Sequence, residues 1–125
     1  MRDPDAVPTA SELAACAADV RALRCAELAQ WLADGRACTI LDVRTEGEFH
    51  SHRIPGATLI PLHELEGRID EALALPGPVV VHCEHGIRSM DASVYLVWQG
   101  RRDVYNVVEG IAAWGGPMEG ASVGR

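Results

Sequence analysis

VVVHCEHGIRS, residues 79–89, decides how the chain is read. Val79, Val80 and Val81 are β-branched and follow the turn residues Pro76, Gly77 and Pro78, so they predict a short strand. A strand apolar at every position is buried on both faces, which places it at the centre of a sheet. The polar cluster His82 to His85 ends it. Beyond the cluster Met90, Val94, Val97 and Trp98 give a helix one apolar face, and Gly100 stops it.

The same reading extends in both directions. Downstream, Val104 to Val108 is a last strand and Ile111 to Trp114 a short closing helix. Upstream, Leu62, Leu65, Ile69, Ala72 and Leu73 follow helical spacing, predicting one helix over 62–73 with Glu64, Glu66 and Asp70 outside. Ala57 to Ile60 is a weaker strand and Cys38 to Val43 a buried one. Thr45 with Glu48 is a capping box opening a helix over 46–51, with Phe49 inward. Leu28, Trp31 and Leu32 share a face of a helix over 25–33 that Gly35 ends. A second capping box, Thr9 with Glu12, opens a helix over 10–19 with Leu13 and Ala17 inward, read as an appendage. Strands alternating with helices of about ten residues imply an α/β class, a central parallel sheet with helices on both faces.

At 125 residues one domain is expected. Residues 1–19 read as an extension with a loose, Pro4- and Pro8-containing start, 20–118 as the domain, and 119–125 as a flexible, Gly-rich tail. Apolar residues make up 48%, enough for a core and against disorder. The net charge of −7 disfavours nucleic acid and anionic membrane as partners. No apolar run approaches the roughly 20 residues of a membrane-spanning helix. No basic segment followed by an apolar one opens the chain, so a cytoplasmic location is expected, with Cys16, Cys25, Cys38 and Cys83 as thiols.

Function in an open parallel sheet gathers where strands end and helices begin. Cys83 stands there, facing the positive end of the following helix, a setting that lowers a thiol pKa. Gly86 lets the loop turn its N–H groups inward, and Arg88 adds positive charge. The bland alternative is a small apolar residue filling a buried strand end. Strand end, Gly86, Arg88 and helix onset together favour a reactive thiolate.

In this order ILDVRTEGEF (40–49), RIPGA (53–57), CEHGIRS (83–89) and VVEGIAAW (107–114) resemble the motifs of the rhodanese family, in particular its single-domain sulfurtransferases. The resemblance runs from about Val20 to Met118. It implies a thiosulfate sulfurtransferase-like enzyme: Cys83 takes a sulfane sulfur from a small donor, thiosulfate or another sulfane or mercapto compound, and passes it from a persulfide to cyanide or a thiol. The loop Glu84, His85, Gly86, Ile87, Arg88 and Ser89 would hold that persulfide through its N–H groups. Arg88 either binds substrate or braces the loop, and Asp42 and Arg44 support the neighbouring loops as an ion pair. No metal or organic cofactor is implied, and a sulfur-accepting protein is a further candidate partner. Where the family often has Gly-His before Ile-Pro-Gly-Ala, this chain has His52 and Arg53. Glu84 places a negative charge in the loop, which makes thiosulfate a surrogate donor.

Three other readings compete. Phosphatases and arsenate reductases of this fold resemble a loop with five residues between Cys and Arg, whereas four stand between Cys83 and Arg88. Modules that bind a partner without turnover usually lack the loop cysteine. A metal site among His50, His52, His82, Cys83 and His85 lacks ligand spacing, since His82 and Cys83 point to opposite faces of a strand. His85 gates access or tunes an acceptor, or is merely exposed. Cys16 and Cys25 are packing residues or resolving thiols, Cys38 is core, and Trp31, Trp98 and Trp114 are core.

Overall fold

In the computed structural model, which describes residues 2–3 and 5–124, the strands are β1 (Arg21–Leu23), β2 (Thr39–Asp42), β3 (Thr58–Leu59), β4 (Val79–His82) and β5 (Val104–Val107). All pair in parallel in the order β1-β5-β4-β2-β3, so the triple-valine strand is central as expected. Val79, Val80 and Val81 are completely buried, and period-2 alternation sends them to different faces. Val79 and Val81 join Leu41, Leu65, Ala72 and Leu96 in one core cluster. Val80 joins Leu23, Leu28, Ile40, Ile111 and Trp114 in the other. Each fully buried aliphatic side chain contributes about 1.5–3 kcal/mol, so both clusters are needed.

The helices are α1 (Ala10–Asp19), α2 (Cys25–Ala33), α3 (Glu46–Ser51), α4 (Leu62–Leu65), α5 (Ile69–Leu73) and α6 (Ile87–Trp98), followed by a 3₁₀ turn over Ile111–Ala113. Residues of α4, α5 and α6 fill the first cluster, and those of α2 and the 3₁₀ turn fill the second. Both capping boxes form: Thr9 Oγ1 accepts from Glu12 N at 3.1 Å, and Thr45 Oγ1 from Glu48 N at 3.2 Å. None of the helices is long and apolar enough to cross a membrane, among the described residues.

Several elements differ from expectation. The single helix over 62–73 is two short ones, α4 and α5, separated by a turn over Glu66, Gly67 and Arg68 that still keeps Leu65 and Ala72 buried. β1 is unforeseen: three residues with only Leu23 buried carry no periodic signal. The sheet-facing side of α6 is Ser89, Ala92, Ser93 and Leu96, whereas Met90 and Val94 lie half-buried beside α1. α1 packs on α6 and is no free appendage. Its Leu13 points outward, 39% exposed, and Cys16 faces the core instead. Phe49 is only half-buried, with the Arg53 guanidinium stacked 5.0 Å from its ring centroid.

The loose start and flexible tail are replaced by contacts. Arg2 donates to the Trp98 carbonyl at 2.8 Å and lies over the Trp98 ring; Pro4 is outside the described residues. In the tail, Glu119 pairs with Arg53 through both backbone groups, and the N–H groups of Ala121 and Ser122 donate to the carbonyls of His50 and Ser51. The tail is thereby tied along α3.

Candidate active site

Cys83 follows the last residue of β4 and is 1% exposed. Its carbonyl accepts from Ile111 N at 2.9 Å, and the Glu84 carbonyl from Ala112 N at 3.1 Å, so the closing 3₁₀ turn clamps the start of the loop. Gly86 then takes φ +87°, a left-handed conformation, and caps α6. A Cβ at Gly86 would run into the Val108 carbonyl, so the position needs glycine for space as well as for its dihedral.

This turn aims donors at the sulfur. Sγ accepts from Gly86 N at 3.2 Å and Ser89 N at 3.2 Å, the latter in the first turn of α6. Burial alone raises the Cys83 pKa, but hydrogen bonds from Ser89, His85 and Gly86 outweigh it and hold the thiol below its ordinary value. Of the loop N–H groups from Glu84 to Ser89, those of His85, Gly86 and Ser89 therefore act on the sulfur. Ser89 Oγ lies 3.3 Å from Sγ and donates to Asn106 Oδ1 at 2.6 Å; Asn106 Nδ2 in turn donates to the Gly86 carbonyl at 3.3 Å.

Arg88 is paired with α3. Its two terminal nitrogens donate to the Glu48 carboxylate at 2.7 and 3.0 Å, and the Arg88 guanidinium pulls the Glu48 pKa down to about 2. Glu84 leans toward Arg44, 3.8 Å from its Nη1. Arg44 and Asp42 are fully buried and joined by three side-chain contacts of 2.8–3.2 Å. Arg44 also donates to the His52 carbonyl, at 2.6 Å, which gives His52 a place: it ends α3 and anchors it to the pair. His85 and Ile87 are exposed, Ile87 at 73%.

The other cysteines stand apart from this chemistry. Cys25 is buried, with Sγ 3.3 Å from the Gly110 carbonyl; burial and the Glu109 carboxylate raise its pKa to about 11. Cys16 is half-buried in the core beneath α1, and Cys38 is half-buried with a raised pKa from burial. His82 is buried on the face opposite Cys83, its Nε2 3.5 Å from Asp42 and without a hydrogen bond; burial lowers the imidazole pKa.

Sequence reasoning missed two residues of the site. Asn106 is a buried amide in the strand VYNV, and a polar residue at a core-facing strand position is the signal that could have found it. Glu48 enters the sequence reading only as a helix cap; it lies in α3, 40 positions before Arg88, and no local signal joins the two.

Comparison with known proteins agrees with this geometry. The model of the rhodanese-like domain matches residues 25–116. A sulfurtransferase of Allochromatium vinosum is 38% identical over 87 residues, 70% of this chain and 80% of the relative. The thiosulfate sulfurtransferase GlpE of Pseudomonas syringae is 40% identical over 79 residues, 63% of this chain and 74% of the relative. Among solved structures, a rhodanese-like domain protein from Staphylococcus aureus superposes with a TM-score of 0.72 at 30% identity, covering 82% of this chain and 100% of that one. These relatives support sulfurtransferase activity in general. With the parallel five-stranded sheet and the matched span of 25–116, the chain belongs to the rhodanese-like domain family.

Proposed function

We propose that the chain is a thiosulfate sulfurtransferase-like enzyme that moves a sulfane sulfur from a small donor to cyanide or a thiol through a persulfide on Cys83. The observation that carries this reading is the Cys83 sulfur, set at the end of the central strand and receiving N–H groups from Gly86 and Ser89. With thiosulfate, the thiolate attacks the outer sulfur, the sulfur–sulfur bond to the sulfite group breaks, and sulfite leaves with the electron pair. The inward N–H groups then stabilise the persulfide anion. Cyanide attacks the outer sulfur, thiocyanate departs, and the thiolate is restored.

The four-residue spacing and an Arg88 spent on Glu48 favour this over oxyanion chemistry, which needs a free guanidinium in a wider ring. Four unpaired cysteines fit a reducing, cytoplasmic setting. A second reading, relay of sulfur to a protein, is favoured by the exposed Ile87 and Val108 flanking the loop. The test is intact mass after incubation with thiosulfate or 3-mercaptopyruvate, beside Cys83→Ser, followed by cyanide. One reducible sulfur gained by wild type alone and removed by cyanide supports the mechanism. Failure of both donors to load a thiol that iodoacetamide alkylates rapidly overturns it for these donors, and slow alkylation overturns the reactive thiolate.

A further inference from the structure

The chain has no lysine, so its permanent side-chain cations are all arginines. Eight of the ten described arginines pair with a carboxylate at 2.7–3.5 Å, and Arg125 lies outside the described residues. Arg21 and Arg36 are the two without a carboxylate partner among the described residues. Both are exposed, and both stack on an aromatic ring instead: Arg21 lies 5.7 Å from the Tyr105 centroid and Arg36 3.6 Å from that of Trp31. The two rings, each half-buried, meet edge to face at 4.9 Å. Arg21, Tyr105, Trp31 and Arg36 thus form one continuous row with an unpaired guanidinium at each end.

The fold assembles this row from separate elements. Arg21 of β1 stands opposite Tyr105 of β5 in register, Trp31 comes from α2, and Arg36 follows the end of that helix. Trp31 and Tyr105 pack on the core cluster that contains Leu28. The acids of α2 are engaged elsewhere: Glu27 Oε1 accepts from Arg24 N at 3.0 Å, and Asp34 Oδ1 from Gln30 Nε2 at 2.8 Å. β1 ends the sheet, so its outer edge has no strand partner among the described residues.

A guanidinium stacked on a ring keeps its N–H groups in its own plane, where a carboxylate binds them in bidentate fashion. The chain has 18 carboxylates of its own, yet none reaches Arg21 or Arg36 among the described residues. Two rings separate the guanidinium groups, so one carboxylate cannot serve both. An extended segment with acids about three or four residues apart can, at roughly 3.3 Å per residue. A long nucleic acid would run from this row onto a surface whose net charge is −7, whereas a short acidic segment meets the arginines alone within a Debye length of about 8 Å.

We propose that the row Arg21, Tyr105, Trp31 and Arg36 docks an acidic, extended segment of a partner protein, with one carboxylate on each guanidinium and the backbone of the segment along the open edge of β1. The main chain supplies affinity at the strand edge, and the spacing of the two arginines supplies the preference for acids. This surface is separate from the chemistry at Cys83 and does not depend on it.

The experiment is an NMR titration of the nitrogen-15-labelled full chain with a synthetic peptide of about twelve residues alternating Glu and Ser, beside the same peptide with Gln for Glu. The Trp31 indole N–H and the Ala22 amide are expected to shift with the Glu peptide and not with the Gln peptide. The indoles of Trp98 and Trp114, which donate to Glu12 and to the Pro117 carbonyl, serve as internal controls and stay in place. Arg21→Gln and Arg36→Gln each raise the Kd about threefold, and together about tenfold. Arg68→Gln, which removes the same charge from an arginine paired with Glu71, leaves the Kd unchanged. The single substitutions carry the test if the double variant does not fold. No shift at Trp31, equal shifts from the Gln peptide, or a Kd that Arg68→Gln raises as much as Arg21→Gln overturns the proposal. A single-stranded oligonucleotide that shifts Trp31 at lower concentration than the peptide overturns it in favour of a phosphate backbone. A Trp31 shift that grows with protein concentration alone, and is lost in Arg21→Gln, overturns it in favour of a second copy of this chain.

Discussion

Ser89 Oγ lies 2.6 Å from Asn106 Oδ1 and 3.3 Å from Cys83 Sγ, so a single hydroxyl proton stands between two acceptors. While Cys83 is a thiol its own proton points at Ser89 Oγ, and Ser89 serves Asn106. Ionised, the sulfur competes for that proton. Ser89→Ala therefore raises the Cys83 pKa, because it removes a hydrogen bond that favours the charged form. Iodoacetamide alkylation followed against pH would show the inflection displaced upward and the high-pH plateau unchanged.

The lowered Cys83 pKa also makes stability depend on pH. The folded thiol ionises below the unfolded one, so the stabilisation is complete above the unfolded value, about 8.5, and is lost as pH falls through the folded value. The melting-temperature difference between wild type and Cys83→Ser is expected to shift in favour of wild type as pH rises from neutrality to about 9.

Glu48 behaves in the same sense at acid pH. Its folded pKa of about 2 lies below an unfolded value near 4.3, so the contribution of the Arg88 pair is complete above pH 5 and fades as pH falls toward 2. Because the pair is partly exposed, Glu48→Gln should cost only about 1 kcal/mol at pH 7. Urea titrations at pH 7 and pH 3 would show the wild-type advantage at the first and a reduced one, about half, at the second.

Arg44 is the sole cation touching the fully buried Asp42 at hydrogen-bond distance among the described residues. Arg44→Met strands that carboxylate and frees the His52 carbonyl, a loss of about 3–5 kcal/mol. Asp42→Asn combined with Arg44→Met should lose less than the sum of the two, which a double-mutant cycle in denaturant would measure.

Gly86→Ala faces a positive φ and the Val108 carbonyl at once. The loop must open to admit a Cβ, so alkylation of Cys83 should slow about tenfold at pH 7 as its N–H donors move away, while melting shifts by only a few degrees. A Gly86→Ala chain that alkylates at the wild-type rate would show that the turn does not set the reactivity.

Much of this architecture is legible in the sequence because its signals are local. Val79 to Val81 between turn residues mark the inner strand, and the two capping boxes place α1 and α3 to the residue. The cysteine, glycine and arginine of the loop are visible for the same reason: strand end, turn and helix onset adjoin in the chain. What escaped depends on distant partners. β1 exists only because Arg21, Ala22 and Leu23 pair with Tyr105, Asn106 and Val107. The buried side of α6 contains two serines, whose burial is permitted by Asn106 and by the Ser89 carbonyl. Glu48 and Arg88 meet across 40 positions, and no spacing rule joins them.

The clamp on the loop also orders events during synthesis. The groups that hold the carbonyls of Cys83, Glu84 and Gly86 come from residues 106–112, which leave the ribosome more than twenty positions after the nucleophile. Until β5 stands between β1 and β4, those carbonyls lack their partners. The turn that aims Gly86 N and Ser89 N at the sulfur is therefore fastened from outside only once the last strand is in place.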